Sequence, residues 1–524
     1  MQQKVCRQWL ALVAAGFSGS GVSEPQFQGT KTRSPCFLLA GGFAPARISQ
    51  AICKGPATYI TPGSLADRVL IVHYRQEART ADSGRFHYRS LAELESTLDA
   101  LGIDLPLDED LSPLTQPVPV GRWQVPNALG IQPMEGCDGT AEGAPGGLTF
   151  RRYERFARGG AGLIWFEATA VSAEARSNPH QLWLTPANLA EHARLVQRVR
   201  GAHWEVFGPG QGPLLIIQLT HSGRRAKKDG KPAPVIAWHN PALDASQELS
   251  PDYPPISDDE LEALEDRFAA VARLAQEAGF DGVDIKACHG YLCSELLGAH
   301  TRPGRYGGSF ENRTRFLLNT IDKVRMAAPG LLLAVRLNAF DTLDYPYGWG
   351  KNQQVPDEID LSEPIRLARL LYGRGVRLLN VSAGVPSHRP QVNRPSDKVA
   401  LATPSDHPLY RIEALLHCAR TIQQAVPEMA VVGTGYSWLR QYFPPAAAAH
   451  LRAGWMKIAG LGRQAFAYPD FARDLLEKGA LDPRRVCTTC GKCAELLGVA
   501  APCGCVTRDA GVYVPIYRAH CQRG

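Results

Sequence analysis

"DDELEALEDRFAAVARLAQEAGFDGVDIKACHGYLCSELL" (residues 258–297) contains the unit from which most of the chain is built. Residues 258–280 mix apolar and charged positions as an amphipathic helix does, and "GVDIKA" is an apolar run of strand length. Polar residues then crowd the end of that run: Lys286, His289 and Tyr291. A helix feeding a short buried strand implies parallel strands joined by crossover helices.

Outward from this stretch the pattern repeats. From Asn127 onward the apolar runs are "NALGIQPM", "GLIWFEA", "PLLIIQL", "GVDIKA", "LLLAVRL", "VRLLNVS", "AVVGTG" and "WMKIAGLG". Helical stretches such as "ENRTRFLLNTIDKVRMAA" lie between them. Eight strands alternating with helices predict a (β/α)₈ TIM barrel over residues 119–480. An open doubly wound sheet fits less well, because no G-x-G-x-x-G follows any strand. Residues 1–83 have no sustained period and read as an N-terminal extension. Residues 84–118 read as a lead-in with one short amphipathic helix, and 481–524 as a cysteine-rich tail.

Composition narrows the function classes. The 524 residues are 44% hydrophobic and 21% charged, with a formal charge of +6. That is ordinary for a globular chain with a large core and leaves no concentrated basic footprint for nucleic acid. "GRRAKKDGK" (223–231) is the densest basic stretch and reads as a solvated loop. No apolar run reaches the eighteen or so residues that span a bilayer. The start has a basic lead and an apolar stretch from Trp9 to Phe17, but no clear small-x-small cleavage site. Cys137, Cys288, Cys293 and Cys418 are scattered through core elements, which suggests reduced thiols and a cytoplasmic protein.

In a barrel of this kind chemistry gathers at the C-terminal strand ends. Glu135 follows the first strand, Glu167 ends the second, and Gln218 with His221 ends the third. The fourth offers Lys286, His289 and Tyr291, the fifth Arg336 and Asn338, and the sixth Ser382. Gly433 and Gly435 follow the seventh, with Gly462 and Arg463 after the eighth. Glycine turns opening onto helices present backbone N–H groups to a phosphate, and Arg463 adds a fixed charge.

On these residues the chain resembles the Old Yellow Enzyme family of FMN-dependent NADH:flavin oxidoreductases. The segments that carry the resemblance are "HGYLCSELL...RYGGSFENRTRFL", "QPMEGCDG", "GGAGLIWFEATAV", "IIQLTHSGRRA", "VVGTGYSW" and "GLGRQAFAYPD", which together cover about residues 86–480. The resemblance implies FMN across the barrel mouth, with Pro133, Glu135, Ala168, Gln218 and Arg336 around its ring. Its phosphate would lie near Ser382, Gly433, Gly435, Gly462 and Arg463. It further implies NAD(P)H as electron donor, an unsaturated carbonyl or related small molecule as substrate, and Tyr291 as proton donor with His289 and Lys286 beside it.

Two positions depart from the family's pattern. The family commonly has His-x-x-His or His-x-x-Asn before that tyrosine, where this chain has Lys286-Ala287-Cys288-His289. A lysine there would hold a substrate oxyanion or pair with Glu135 or Glu167. Glu135 stands where a Thr or Cys often meets the flavin, and a carboxylate there disfavours flavin reduction unless paired. A Glu135–Lys286 ion pair is therefore expected.

The tail "VCTTCGKCAELLGVAAPCGCVTRD" (486–509) holds five of the thirteen cysteines. Cys487, Cys490 and Cys493 are spaced C-x₂-C-x₂-C, and eleven residues separate Cys493 from Cys505. Zinc sites usually use two separated pairs, whereas three close thiolates and one distant one suit a cubane cluster better; zinc or no metal remain alternatives. The tail resembles the cluster segment of the dienoyl-CoA reductase and trimethylamine dehydrogenase branch, whose spacing is C-x₂-C-x₃-C-x₁₁-C. The resemblance implies a [4Fe–4S] cluster on Cys487, Cys490, Cys493 and Cys505, with Cys503 as the substitute for Cys505. That branch continues into an FAD and NAD(P)H domain, whereas this sequence ends nineteen residues after Cys505. Electrons would then pass through a partner protein or come directly from NAD(P)H. The competing readings are a dehydrogenase that exports electrons through the cluster, and a barrel that binds a ligand without turnover. Association into a homo-oligomer is left open; nucleic-acid and membrane partners are not expected.

Overall fold

The computed structural model describes residues 71–72, 84–355, 358–397 and 407–522. The N-terminal extension and the signal-like start therefore lie outside the described residues. The exception is Ile71–Val72, a short strand antiparallel to Ile359–Asp360.

All eight apolar runs become strands of one closed sheet. They are β1 (Leu129–Ile131), β2 (Leu163–Ala170), β3 (Leu214–Thr220), β4 (Gly282–Ala287), β5 (Leu332–Asn338), β6 (Val376–Ser382), β7 (Ala430–Gly433) and β8 (Ile458–Leu461). Each pairs in parallel with the next, and β8 closes on β1. Every residue of β2 to β5 is buried, as a parallel strand requires when helices cover one face and the barrel interior the other.

The helix read from residues 258–280 is α3 (Asp258–Glu277), following α1 (Gly147–Arg158) and α2 (Leu189–Phe207). Ser257 starts α3 by accepting from the Glu260 backbone N–H at 3.2 Å, while the Glu260 carboxylate accepts from the Ser257 N–H at 2.8 Å. Asp258, Asp259 and Glu260 put negative charge on the positive end of the helix dipole. Its apolar stripe buries Leu264, Phe268 and Val271, and Phe268 meets Phe316 of α4 (Phe310–Ala327) edge to face at 5.9 Å. The lead-in helix lies at Leu91–Leu101 and ends on Gly102, whose φ of 65° closes the last turn.

The two ends of the barrel are not alike. A hairpin of Val118–Val120 and Trp123–Val125 packs its valines with Leu163, Trp165, Leu214, Ile216, Leu332 and Leu378. That apolar cluster fills the N-terminal half of the interior, so the C-terminal half is where a ligand can enter. The tail ends in two further helices, Lys492–Gly498 and Ala510–Cys521, whose Leu496 and Tyr513 share a small core with Val506 between them. Asp509 clamps it to α1 through Arg151 at 2.7 Å and Arg155 at 2.5 Å.

Candidate active site

A cavity of about 500 Å³ opens at the C-terminal ends of the strands, within the size range of small-ligand sites. Pro133, Glu135, Ala168, Gln218, Lys286, His289, Tyr291, Arg336, Ser382, Gly435, Gly462 and Arg463 all line it. Gly433 does not. A Cβ there would strike the Met456 sulfur, so that glycine serves packing at the end of β7.

Tyr291 donates to Glu135 Oε1 at 2.7 Å. Lys286 Nζ lies 3.6 Å from the same oxygen and 3.3 Å from the centre of the Tyr291 ring. The expected Glu135–Lys286 pair is present. Glu167 is instead bound to Arg152 and accepts from the Gly136 N–H at 2.6 Å. Burial lowers the Lys286 ammonium, with Glu135 acting against it. Burial, then Glu135, pushes the Tyr291 phenol well above its ordinary value, so it holds its proton at neutral pH. Ser177 donates to the other Glu135 oxygen at 3.3 Å and completes the cage.

His289 adopts a left-handed backbone, φ 66°, which costs a residue with a Cβ roughly 1–2 kcal/mol. Its Nε2 lies 2.7 Å from Ser382 Oγ. Burial, followed by the charges of Arg336 and Lys286, holds the imidazole well below its usual value and neutral.

Asp284 is a residue the sequence reading missed, although the two-residue period of β4 puts it on the Lys286 face. Its carboxylate accepts from Gln218 Nε2 at 2.6 Å, Trp165 Nε1 at 2.9 Å and the Arg336 backbone N–H at 2.6 Å. It orients the Gln218 amide and pins the β5 backbone at Arg336. Burial outweighs these donors and raises the Asp284 carboxyl to about 6.

The basic stretch 223–231 needs correction. Arg224 is buried and ion-paired with Asp244 and Glu295, while Arg225 and Lys227 line the cavity. Only the tip of the stretch, Lys228 to Lys231, faces solvent. Arg394, on the loop after β6, also lines the cavity, and no sequence signal pointed to it.

The cavity fits an anionic, acceptor-rich cofactor such as FMN. Gln132 Nε2 and Arg336 Nε are buried donors without a partner, on residues that both line it. Gly460 leaves a cradle, since a Cβ there would collide with the Gln132 amide. Gly435, at φ 111°, turns the backbone where a Cβ would be strained.

The tail reaches this cavity through Cys493 and Cys503. Cys487 Sγ accepts from the Thr489 N–H at 3.4 Å and Cys505 Sγ from the Arg508 N–H at 3.3 Å. Cys503 instead donates its thiol to the Cys493 carbonyl at 3.1 Å. Among the described residues, no three His, Cys, Asp or Glu side chains are grouped to hold a metal ion, and the described cysteines are all free. Nor is any described helix long and apolar enough to cross a membrane.

Residues 113–351 match the NADH:flavin oxidoreductase / NADH oxidase family. An NADPH dehydrogenase of Halalkalibacterium halodurans is 33% identical over 258 residues, covering 49% of this chain and 68% of that one. A NADH:flavin oxidoreductase of Gibberella zeae is 30% identical over 243 residues, 43% of this chain and 56% of its own length. A solved 2-naphthoyl-CoA reductase shares the fold with a TM-score of 0.59 at 19% identity, over 76% of this chain and 57% of that one. The chain thus spans little more than half the length of the last two.

Proposed function

Because the chain belongs to the NADH:flavin oxidoreductase / NADH oxidase family, we propose that it is an FMN-dependent oxidoreductase moving hydride from NAD(P)H to an unsaturated carbonyl or related small molecule. The observation that carries this reading is a protonated, buried tyrosine hydrogen-bonded to a carboxylate inside the cavity that also holds Gln218 and Arg336. When bound, FMN supplies a two-electron carrier that takes hydride from NAD(P)H and delivers it to the β-carbon of an activated alkene. Gln218, oriented by Asp284, and Arg336, whose backbone N–H Asp284 accepts, would hold its ring, the guanidinium favouring the negative charge gained on reduction. Ser382, Gly435, Gly462 and Arg463 would hold its phosphate. Tyr291 then gives its phenolic proton to the α-carbon, and Glu135 and Lys286 fix the ring in place.

In this reading Cys487, Cys490, Cys493 and Cys505 would hold a [4Fe–4S] cluster, which would supply one-electron exchange beside the cavity. A cubane takes one thiolate at each of four separate corners, so its ligands need not converge on a point. Backbone N–H bonds to the Cys487 and Cys505 sulfurs suit thiolates, whereas a sulfur that donates to a carbonyl, as Cys503 does, suits a protonated thiol.

One observation favours the opposite direction of turnover. The Tyr291 hydroxyl points at a carboxylate, an arrangement that also suits removing a proton from a substrate being oxidised. Anaerobic stopped-flow of the purified protein separates the readings. Flavin bleached by NAD(P)H and restored by an enone supports ene reduction; bleaching by an amine alone supports dehydrogenation; a colourless protein made with ample flavin and iron overturns both.

A further inference from the structure

Counting charge around the cavity leaves a surplus. Glu135 is the acidic side chain among the lining residues, and Lys286 takes it. Arg224, also in the lining, is taken by Asp244 and Glu295. Arg336 and Arg463 are the cations assigned above to the flavin ring and phosphate. Arg225, Lys227 and Arg394 remain, on the loops after β3 and β6, and none has an ion-pair partner among the described residues; of these, the two guanidiniums offer forked donors. Arg225 Nη2 is buried without any hydrogen bond, although desolvating a guanidinium donor costs free energy that only a ligand can return here.

We propose that Arg225 and Arg394 form an anion subsite beside Tyr291, so that the substrate carries a compact oxyanion, a carboxylate or phosphate, next to its reducible group. The proposal rests on the oxidoreductase reading for the meaning of "substrate" but not for the subsite itself. Both arginines line the cavity that holds His289 and Tyr291, and their charges act on His289, that of Arg225 on Tyr291 as well. A guanidinium presents a planar fork of donors that matches either oxyanion bidentately. Two such forks on separate loops would fix both the anion and the direction of the carbon skeleton toward Tyr291. Lys286, already neutralised by Glu135, contributes little to that hold.

The test uses protein saturated with FMN, or with inorganic phosphate if it takes none, so that the phosphate position is filled. Calorimetry then compares benzoate, phenyl phosphate and the neutral isostere benzamide. A charge-assisted, desolvated contact predicts that at least one anion binds tenfold or more tighter than benzamide. The benzoate-to-phenyl phosphate ratio tells which oxyanion the subsite prefers. Arg225→Gln and Arg394→Gln should each lose most of that preference while benzamide binding is kept, and Arg225→Lys should restore part of it. Equal binding of anions and benzamide by the unaltered protein overturns the subsite whatever the variants do. So does a preference that survives both glutamine substitutions. FMN content and flavin reduction by NAD(P)H are scored separately: their failure would sink the proposed reaction while the anion preference still decides the subsite.

Discussion

The phenol of Tyr291 and the carboxylate of Glu135 come from strand ends on different parts of the barrel wall, β4 and β1, yet meet at 2.7 Å. The oxygen that accepts the phenol also faces the Lys286 ammonium at 3.6 Å, so one carboxylate oxygen serves two partners in a buried setting. Removing any one of the three leaves the others with an uncompensated group, which makes their roles separable by substitution.

Lys286→Met keeps the apolar stem and removes the charge. Breaking one side of a buried pair strands Glu135, at a cost of about 3–5 kcal/mol. Chemical denaturation should show that loss, and the benzoate preference should persist. Unchanged stability combined with a lost preference would instead make Lys286 the substrate's anion holder.

Tyr291→Phe keeps the ring under Lys286 and deletes only the hydroxyl. Flavin reduction by NAD(P)H should stay near the unaltered rate while reoxidation by an alkene slows about 10²-fold, the scale of general acid catalysis. Equal rates in both half-reactions would assign the proton to another donor.

Cys490→Ala and Cys505→Ala should each lose iron and sulfide while retaining FMN, whereas Cys503→Ala should keep its full complement. The contrast follows from the sulfur bonds: Cys505 accepts from a backbone N–H and Cys503 donates to a carbonyl. Iron loss in the Cys503 variant with retention in the Cys505 variant would exchange their roles.

Asp284 carries a pH signature. Its carboxyl is raised from 3.8 to about 6 by burial, so the native state binds a proton more tightly than the unfolded chain. Stability from this group is present below about pH 4 and lost as pH rises through 6, in total about 3 kcal/mol. The stability difference between the unaltered protein and Asp284→Asn should therefore shrink by roughly that amount across this window. A difference that is flat with pH would show that the three donors to Asp284 offset its burial, and one that grows with pH would show that they outweigh it.

The barrel was legible in the sequence because burial on both faces of a parallel strand demands an uninterrupted apolar run, and eight such runs separated by amphipathic helices admit few closures. The sequence placed Glu135 and Lys286 at strand ends facing one mouth and so offered their pairing, beside Glu167 and a substrate oxyanion as other partners for Lys286. Asp284 was overlooked in a run judged only by its hydrophobicity, although its two-residue offset from Lys286 already put it on the same face. Arg225 looked like part of a solvated basic loop because a linear run of cations carries no sign of which members turn inward.

What the sequence by itself determined is therefore the local and periodic content: eight strands, their helices, the strand-end polar residues and the cysteine spacing. The tertiary structure alone decided which charges pair. It gave Glu135 to Lys286 and Tyr291, gave Glu167 to Arg152, moved Gly433 into packing, and left Arg225 and Arg394 unpaired in the cavity. The reason is physical: Coulomb and hydrogen-bond energies depend on distances and local dielectric between residues far apart in the chain, and neither is defined until the barrel has closed.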